Sequence, residues 1–268
     1  MSTKVLELYV ITSCRDWLVS IGRYVVMACQ VLFLLITQRP RWDLVNNQLY
    51  EMGVRSLSLV CVTGMAIGMV LSAQSFFQLS DKGLVGATGL MVAKSMLVEI
   101  GPILTAFIIT GRVGAAICAE LGSMRVSEQI DAMACMGVNP LEYLVVPRYV
   151  GMIIMMPVLT VFSSACGIIG GWFIATQLYG MNTQTFFDPI QVYITWFDII
   201  CNFLKSWIFG ILVVSIACYE GMSTKGGAAG VGRATTSSVV ISYSTILGMN
   251  FLLTIFLNAL YWYIFGFN

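Results

Sequence analysis

The chain contains no histidine, and charged residues make up only 10% of its 268 residues. Without histidine, a common metal ligand and a common general base near neutral pH are both missing. A soluble domain carries about 25% charged residues, so the low charge argues against an ordinary soluble fold. The formal net charge of +1 gives no electrostatic reason to expect nucleic acid as a partner.

Sequence motifs of catalysis are missing as well. No GxxxxGK[ST] phosphate loop occurs, and the glycine-rich run GGAAGVGR at 226–233 lacks the Lys-Ser/Thr that would hold phosphate and Mg²⁺. No GxSxG nucleophile motif occurs either. We therefore expect no catalytic residue, no metal and no cofactor. Any ATP hydrolysis must come from a partner subunit.

The chain has eight cysteines, and none forms a CxxC pair. Most lie in apolar runs, which favours small buried side chains over the alternatives of disulfides or metal ligands.

Hydrophobic residues make up 58% of the chain, which indicates a polytopic all-α membrane protein. Charges interrupt the first apolar region, so residues 1–38 are predicted to form an interfacial helix that a polar stretch breaks at Pro40. The first apolar region lacks a clear signal-peptide pattern, because Arg15 and Arg23 interrupt its apolar run and no A-x-A site follows. Five spans within 54–265 are predicted, at about 54–79, 88–117, 148–178, 195–219 and 238–265.

The distribution of Lys and Arg predicts the orientation of these spans. Arg41, Arg125 and Lys225 lie in segments on one side, whereas residues 179–194 on the other side contain no Lys or Arg. By the positive-inside rule, the N-terminus and the segments 118–147 and 220–237 are cytoplasmic, and the C-terminus is external.

Glycines spaced four apart occur in two spans, Gly64 with Gly68 and Gly167 with Gly171. Such pairs let helix backbones approach closely, either within one subunit or at a dimer contact. No internal repeat is evident, which gives no support to an inverted-repeat secondary transporter.

A polar island at 111–148 separates two of the predicted spans. Ser127 is a candidate helix cap, good helix formers continue to Gly137, and Asn139-Pro140 predicts a turn. Glu128 and Asp131 are three residues apart and share a face of this helix. Docking of a soluble partner and a solvated loop helix without a partner are both compatible with this pattern.

The segment LVEIGPILTAFIITGRVGAAICAELGSMRVSEQIDAMACMGVNPLEYLVVPR at 97–148 resembles the signature region of the MlaE family, the permease subunits of phospholipid ABC transporters. A second block agrees: Lys205-Ser206, then Phe209-Gly210, then GAAGVGRATTSSVV at 227–240. The resemblance covers the chain from about residue 54 to its end, and the two motif blocks follow each other in the order typical of the family.

The resemblance implies one permease domain over 1–268, with an interfacial helix and five spans, in the bacterial inner membrane. It implies a homodimer with a phospholipid cavity at its interface, a cytoplasmic ABC ATPase (MlaF-like), a periplasmic MCE-domain protein (MlaD-like) and a STAS-domain protein (MlaB-like). It also implies a coupling helix at about 124–136. Its expected ATPase-contacting residues are Met124, Arg125, Glu128, Gln129, Asp131 and Met133.

Ionisable residues at membrane depth cost about 2.5–3.5 kcal/mol each on insertion scales, so each needs a reason. Glu99 precedes Gly101-Pro102; it either shapes the lipid cavity or bonds to backbone freed by Pro102. Lys205 either snorkels to the interface, which is slightly favoured, or contacts a lipid phosphate or a neighbouring span. A direct bridge to Asp198 is not expected, because the two residues lie two helical turns apart. Lys94 is expected to snorkel outward.

Further residues are candidates for the wall of the lipid cavity and for contacts on the cytoplasmic side. Leu97, Leu71, Phe76 and Phe77 are candidate apolar lining residues. Arg112 and Glu120 are expected to fix the geometry of the polar island, and Arg233 to make a helix-start or interprotomer contact. The alternative function is a secondary transporter or channel that works alone.

Overall fold

The structure, a computed structural model, describes residues 22, 24–31, 33–35 and 41–266, and these contain helices and turns without any β-strand. The helices are, in chain order, α1 (Tyr24–Leu35), α2 (Trp42–Ser80), α3 (Val85–Val126), α4 (Gln129–Cys135), α5 (Leu141–Gln177), α6 (Thr183–Tyr193), α7 (Trp196–Met222) and α8 (Gly227–Phe265). Five of them, α2, α3, α5, α7 and α8, are long and apolar enough to cross a membrane. The predicted fold class of five spans is confirmed.

The spans are longer than predicted, mainly at the ends that carry the Lys and Arg clusters. Helix α2 begins at Trp42, so much of the stretch predicted as a polar connection is helical. Asp43 in its first turn lies near the positive end of the helix dipole, which favours this start. The predicted interfacial helix over 1–38 falls largely outside the described residues. Within α1, Met27 and Val31 are buried in the core.

Close helix packing explains the glycine pairs. A Cβ atom at Gly68 would lie 1.8 Å from the carbonyl oxygen of Gly167, and one at Gly64 would lie 2.6 Å from that of Ser163. Helices α2 and α5 therefore approach with their backbones nearly in contact. The small residues pack helices within one subunit, which is the first of the two predicted alternatives.

Helix α3 is widened in two places into π-helical turns, Met96–Ile100 and Thr110–Gly114. The first lies directly before Gly101-Pro102, where proline lacks the N–H that would continue the α-helical ladder. Such π turns are frequent at functional sites. They place Glu99 and Arg112 on locally widened turns of one long helix.

The segment after α5, predicted only as a connection, contains the additional helix α6. Asn182 caps it, since its side chain accepts a hydrogen bond of 3.1 Å from the N–H of Gln184. Phe186 is fully buried, and a Cβ atom at Gly89 would lie 2.0 Å from its carbonyl oxygen. Helix α6 therefore packs tightly on the start of α3.

The polar island does not contain one helix over 124–136. Helix α3 continues to Val126, Glu128 adopts a left-handed conformation with φ of 59°, and α4 then runs from Gln129 to Cys135. Ser127 does not cap α4, because its hydroxyl donates a 2.8 Å hydrogen bond to the carbonyl of Ser123 at the end of α3. The predicted turn at Asn139-Pro140 is present: the Asn139 side chain accepts from the N–H of Leu141 at 3.1 Å.

Candidate functional site

The most unusual feature of the interior is an ion pair at membrane depth. Lys205 on α7 is fully buried, and its Nζ donates a 2.7 Å hydrogen bond to Oε1 of Glu99 on α3. The Glu99 side chain retains 33% exposure, whereas that of Lys205 retains 1%. The lysine is thus held in place by the carboxylate, and the carboxylate keeps one side open.

Helix α8 completes the polar cluster around this pair. Thr254 Oγ1 donates to Glu99 Oε1 at 2.9 Å and accepts from Lys205 Nζ at 3.0 Å. Asn250 Nδ2 donates to Glu99 Oε2 at 3.1 Å. On α7, Asn202 Nδ2 donates to the carbonyl of Leu97 at 2.7 Å. Because each helix contributes a member, the network connects α3, α7 and α8 at one level; we call these residues (Glu99, Asn202, Lys205, Asn250, Thr254) the polar cluster.

This arrangement decides between the predicted alternatives. Snorkelling of Lys205 is wrong, because its ammonium turns inward to Glu99; the alternative of a contact with a neighbouring span is correct. A bond from Glu99 to backbone freed by Pro102 is also wrong, since both carboxylate oxygens accept from side chains. As expected, Asp198 does not bridge to Lys205. It accepts from the N–H and hydroxyl of Thr195, three residues earlier.

A cleft of about 170 Å³ opens beside the polar cluster. Its walls carry charged and polar groups together with apolar ones, namely Lys94, Val98, Glu99, Phe197, Asp198, Cys201, Lys205, Thr254, Leu257, Asn258 and Tyr261. The Lys94 side chain is half exposed, as an outward orientation predicts, and its Nζ lies 3.9 Å from Oδ2 of Asp198. The cleft therefore combines two ion pairs with an apolar wall.

A comparison with known protein families shows to which family the chain belongs. The family model described as Permease MlaE matches residues 45–256, which is most of the chain. The chain belongs to the MlaE permease family.

Relatives in several bacteria agree with this assignment. The chain is 35% identical over 235 residues to a probable ABC transporter permease of Rickettsia bellii, covering 88% of this chain and 91% of the relative. It is 37% identical over 208 residues to a probable ABC transporter permease of Synechocystis, covering 78% and 79%. It is 35% identical over 217 residues to the intermembrane phospholipid transport system permease MlaE of Haemophilus influenzae, covering 81% and 83%.

In this MlaE-family permease, several predicted lining residues lie away from the cleft. Phe76 stacks on Tyr179 with ring centroids 4.3 Å apart, and Phe77 meets the same ring edge-on at 5.4 Å. Leu71 is half-buried on α2 and does not line the cleft. Leu97 adjoins the polar cluster through its carbonyl group. The structure thus brings together Glu99, Lys205 and Leu97 but not the other three.

Charged side chains join the helices around the polar island. Arg125 at the end of α3 pairs with Asp131 of α4. Arg148 at the start of α5 is 3% exposed and lies 2.9 Å from Glu120 of α3. Arg112 donates to the buried hydroxyl of Ser56 on α2. Arg112 and Glu120 thus connect α3 to α2 and α5; that they fix the geometry of the island stays a prediction.

The other residues of the island differ in exposure. Met124 and Met133 pack partly buried against the core, whereas Glu128 and Gln129 are exposed. Arg233 is exposed on the second turn of α8, and its guanidinium lies close enough to Gly226 that a Cβ atom there would be 3.3 Å from it. The contact of Arg233 at a helix start or between protomers stays a prediction.

The sequence reasoning missed Asn202, Asn250 and Thr254. A signal was present: Asn202 and Lys205 are three residues apart on α7, and Asn250 and Thr254 are four apart on α8. Residues at these spacings share one helix face, and polar residues in apolar spans usually face other helices.

Proposed function

We propose that the chain is the membrane-spanning permease subunit of an ABC transporter that moves phospholipids between two membranes. The single observation that carries this proposal is the polar cluster: a buried ion pair with one exposed edge, beside a cleft with charged and apolar walls, in an MlaE-family permease. A phospholipid has a charged headgroup and apolar tails, and such a site offers partners to both. The relative from Haemophilus influenzae, named as an intermembrane phospholipid transport permease, supports this substrate.

In the cleft, charged side chains would bind the headgroup and apolar side chains would contact the acyl chains. Glu99 presents its exposed edge, and Lys94 and Asp198 lie farther along the same wall, where they can orient a headgroup. Val98, Phe197 and Leu257 offer the acyl chains a surface worth about 0.8 kcal/mol per buried CH₂. Leu71, Phe76 and Phe77 would extend this lining only through a rearrangement of α2.

A second copy of the chain would complete the cavity. Only 11% of the most apolar stretch of α8 is buried within the subunit, against 28–56% for the other spans. Its exposed side chains include large apolar ones, among them Val240, Leu247, Phe251, Leu252, Ile255 and Phe256. Because Asn250 and Thr254 lie on the same helix, a homodimer contact along α8 would place the polar cluster of each copy near the interface.

The energy source would be a separate cytoplasmic ATPase, since the chain has no phosphate loop. Helix α4 is the proposed contact: Glu128, Gln129 and Asp131 are exposed, and the helix is held to α3 through Arg125. An orientation with α4 in the cytoplasm and the C-terminus in the periplasm follows the positive-inside rule. A periplasmic MCE-domain protein and a STAS-domain protein that binds the ATPase complete the assembly in the bacterial inner membrane.

Affinity purification of the full chain in mild detergent tests the proposal. We expect an ABC ATPase, an MCE-domain protein and bound phospholipid to copurify. Phospholipid content should fall in Glu99→Leu, while a change outside the cleft at an exposed residue of α5, Val161→Leu, should leave it unchanged. Recovery of the chain without an ATPase would instead favour the alternative of a transporter that works alone.

A further inference from the structure

A second cavity, of about 370 Å³, lies between the first turns of α2 and the last third of α3. Two stripes of side chains line it, Gln48, Glu51 and Met52 from α2 and Arg112, Val113, Ala116, Ile117 and Glu120 from α3. The α3 residues recur at intervals of three or four along one face. The cavity is therefore a groove between two helices, separate from the cleft beside Glu99.

Helix geometry places this groove at the opposite membrane boundary from Lys94. The chain rises about 1.5 Å per residue along a helix, so Arg112 lies about 27 Å along α3 from Lys94. The hydrocarbon core of a bilayer is about 30 Å thick. Lys94 is half exposed in the wall of the cleft beside the polar cluster. Arg112 and the groove therefore lie at the level of the other leaflet's headgroups, the cytoplasmic ones in the proposed orientation.

Arg112 brings a positive charge that the described residues do not neutralise. Its guanidinium donates to Ser56, which is a neutral and fully buried hydroxyl, and no carboxylate among the described residues forms an ion pair with it. Guanidinium groups bind phosphate oxygens with strong, charge-assisted hydrogen bonds. The wall of the groove thus offers one site for a phosphate group.

The same groove carries two carboxylates and an apolar floor. Glu51 and Glu120 are about half exposed, and each also pairs with an arginine, Arg55 and Arg148 respectively. Met52, Val113 and Ile117 are buried hydrophobic residues of the groove. The cation can bind a phosphate, and the carboxylates can bind an ammonium group. The apolar strip can contact the start of an acyl chain.

We propose that this groove binds the headgroup of a phospholipid from the cytoplasmic leaflet, with preference for an ammonium-bearing phosphodiester such as phosphoethanolamine. Arg112 binds the phosphate, Glu51 and Glu120 face the ammonium group, and the acyl chains leave past Ala116, which is exposed between Val113 and Ile117. The inference rests on the proposed function, since it assigns a second lipid site to the same permease. It places a lipid at the opposite leaflet from the cleft of the polar cluster.

Photolabelling of the full chain in lipid nanodiscs tests this site. The probe is phosphatidylethanolamine with a diazirine on its acyl chain near the glycerol, and mass spectrometry maps the labelled residues. We expect label at 113–117 in the wild type and a roughly tenfold loss in Arg112→Gln, the effect of removing one charge-assisted hydrogen bond. Lys82→Gln, which removes an exposed cation from the other end of the molecule, should label like the wild type.

Two further variants separate lipid binding from helix packing. Ser56→Ala removes the hydrogen bond that Arg112 makes to α2 but keeps the charge, so label at 113–117 should persist. Glu51→Gln should retain labelling while reducing the advantage of phosphatidylethanolamine over phosphatidylglycerol as competitor. Equal label in Arg112→Gln and the wild type, or loss of label in Ser56→Ala as large as in Arg112→Gln, would overturn the assignment.

Competition identifies the source of the phosphate group. Excess unlabelled phosphatidylethanolamine should displace the probe, whereas inorganic phosphate at millimolar concentration should not. Displacement by inorganic phosphate as efficient as by lipid would reveal a simple anion site and contradict the proposal. Label at 254–258, beside the polar cluster, reports on the proposed transport cavity, so failure of one site is distinguishable from failure of the other.

Discussion

Nζ of Lys205 lies 2.7 Å from Oε1 of Glu99, and Thr254 from a third helix bonds to both groups. The two charged residues are separated by more than a hundred positions in the chain, yet they form one polar unit at membrane depth. A charge in this position is stable only with its partner. The account of substrate binding depends on this unit.

Removal of Glu99 should destabilise the protein more than removal of Lys205. Loss of one member of a fully buried pair costs about 3–5 kcal/mol, and the partial exposure of Glu99 lowers the cost for variants that leave Glu99 behind. We therefore expect Glu99→Gln, which strands the buried Lys205, to lower the unfolding temperature in detergent more than Lys205→Met does.

The double variant Glu99→Gln with Lys205→Met is the control for that series. It removes both charges, so its stability should exceed that of Glu99→Gln alone. Additive losses would show that the two residues do not interact.

The contact between α2 and α5 should not tolerate a larger side chain at Gly68. A Cβ atom there would lie 1.8 Å from a backbone oxygen, which cannot move aside as a flexible side chain can. Overpacking costs about 1–3 kcal/mol or more, so Gly68→Ala should lower the unfolding temperature and the yield of folded protein. Gly232→Ala is the matched control, because no atom lies within 4 Å of the added methyl group. Equal stability of the two variants would contradict the packing.

Charge reversal at Glu128, directly before α4, and at Asp131 within α4 should detach the ATPase. The double variant Glu128→Lys with Asp131→Lys changes two exposed residues, so we expect loss of the copurifying ATPase with an unchanged size-exclusion profile of the permease. Asp43→Lys, an exposed residue outside α4, should retain the ATPase. Retention of the ATPase at wild-type stoichiometry in the double variant would refute the contact.

The orientation of the chain can be read from Cys135 in a variant whose other seven cysteines are replaced by serine, because Cys29 is exposed as well. Cys135 at the end of α4 is exposed, so a membrane-impermeant maleimide should label it only when the cytoplasmic face is open. Cys135→Ser should lose this signal. In that background, Gln191→Cys on α6 should be labelled from the periplasmic face. The opposite pattern would invert the proposed topology.

Local and compositional features were predictable from the sequence, whereas pairings between distant helices were not. Long apolar runs predicted five spans because crossing a membrane requires about 20 apolar residues. Asn139-Pro140 predicted a turn because proline and asparagine act on their immediate neighbours. The polar island at 111–148 could be identified from its length and its charges. The left-handed conformation of Glu128, which divides the predicted helix, could not.

The partner of Lys205 could not be predicted, since helical spacing relates only residues on one helix. Snorkelling needs no partner, yet Glu99 and Thr254 supply two hydrogen-bond acceptors for Lys205 from two other helices. Helix α6 was missed for another reason. It is short, and its apolar residues are also compatible with a loop that lies against the membrane. Only the structure shows that Phe186 packs on Gly89.

The most direct test of the central claim is phospholipid transfer by the purified chain in proteoliposomes. We expect transfer of a fluorescent phospholipid to acceptor vesicles only when the partner ATPase, the MCE-domain protein and ATP are all present, with a large loss in Glu99→Leu. Equally fast transfer by the chain without a second protein or ATP would contradict the account.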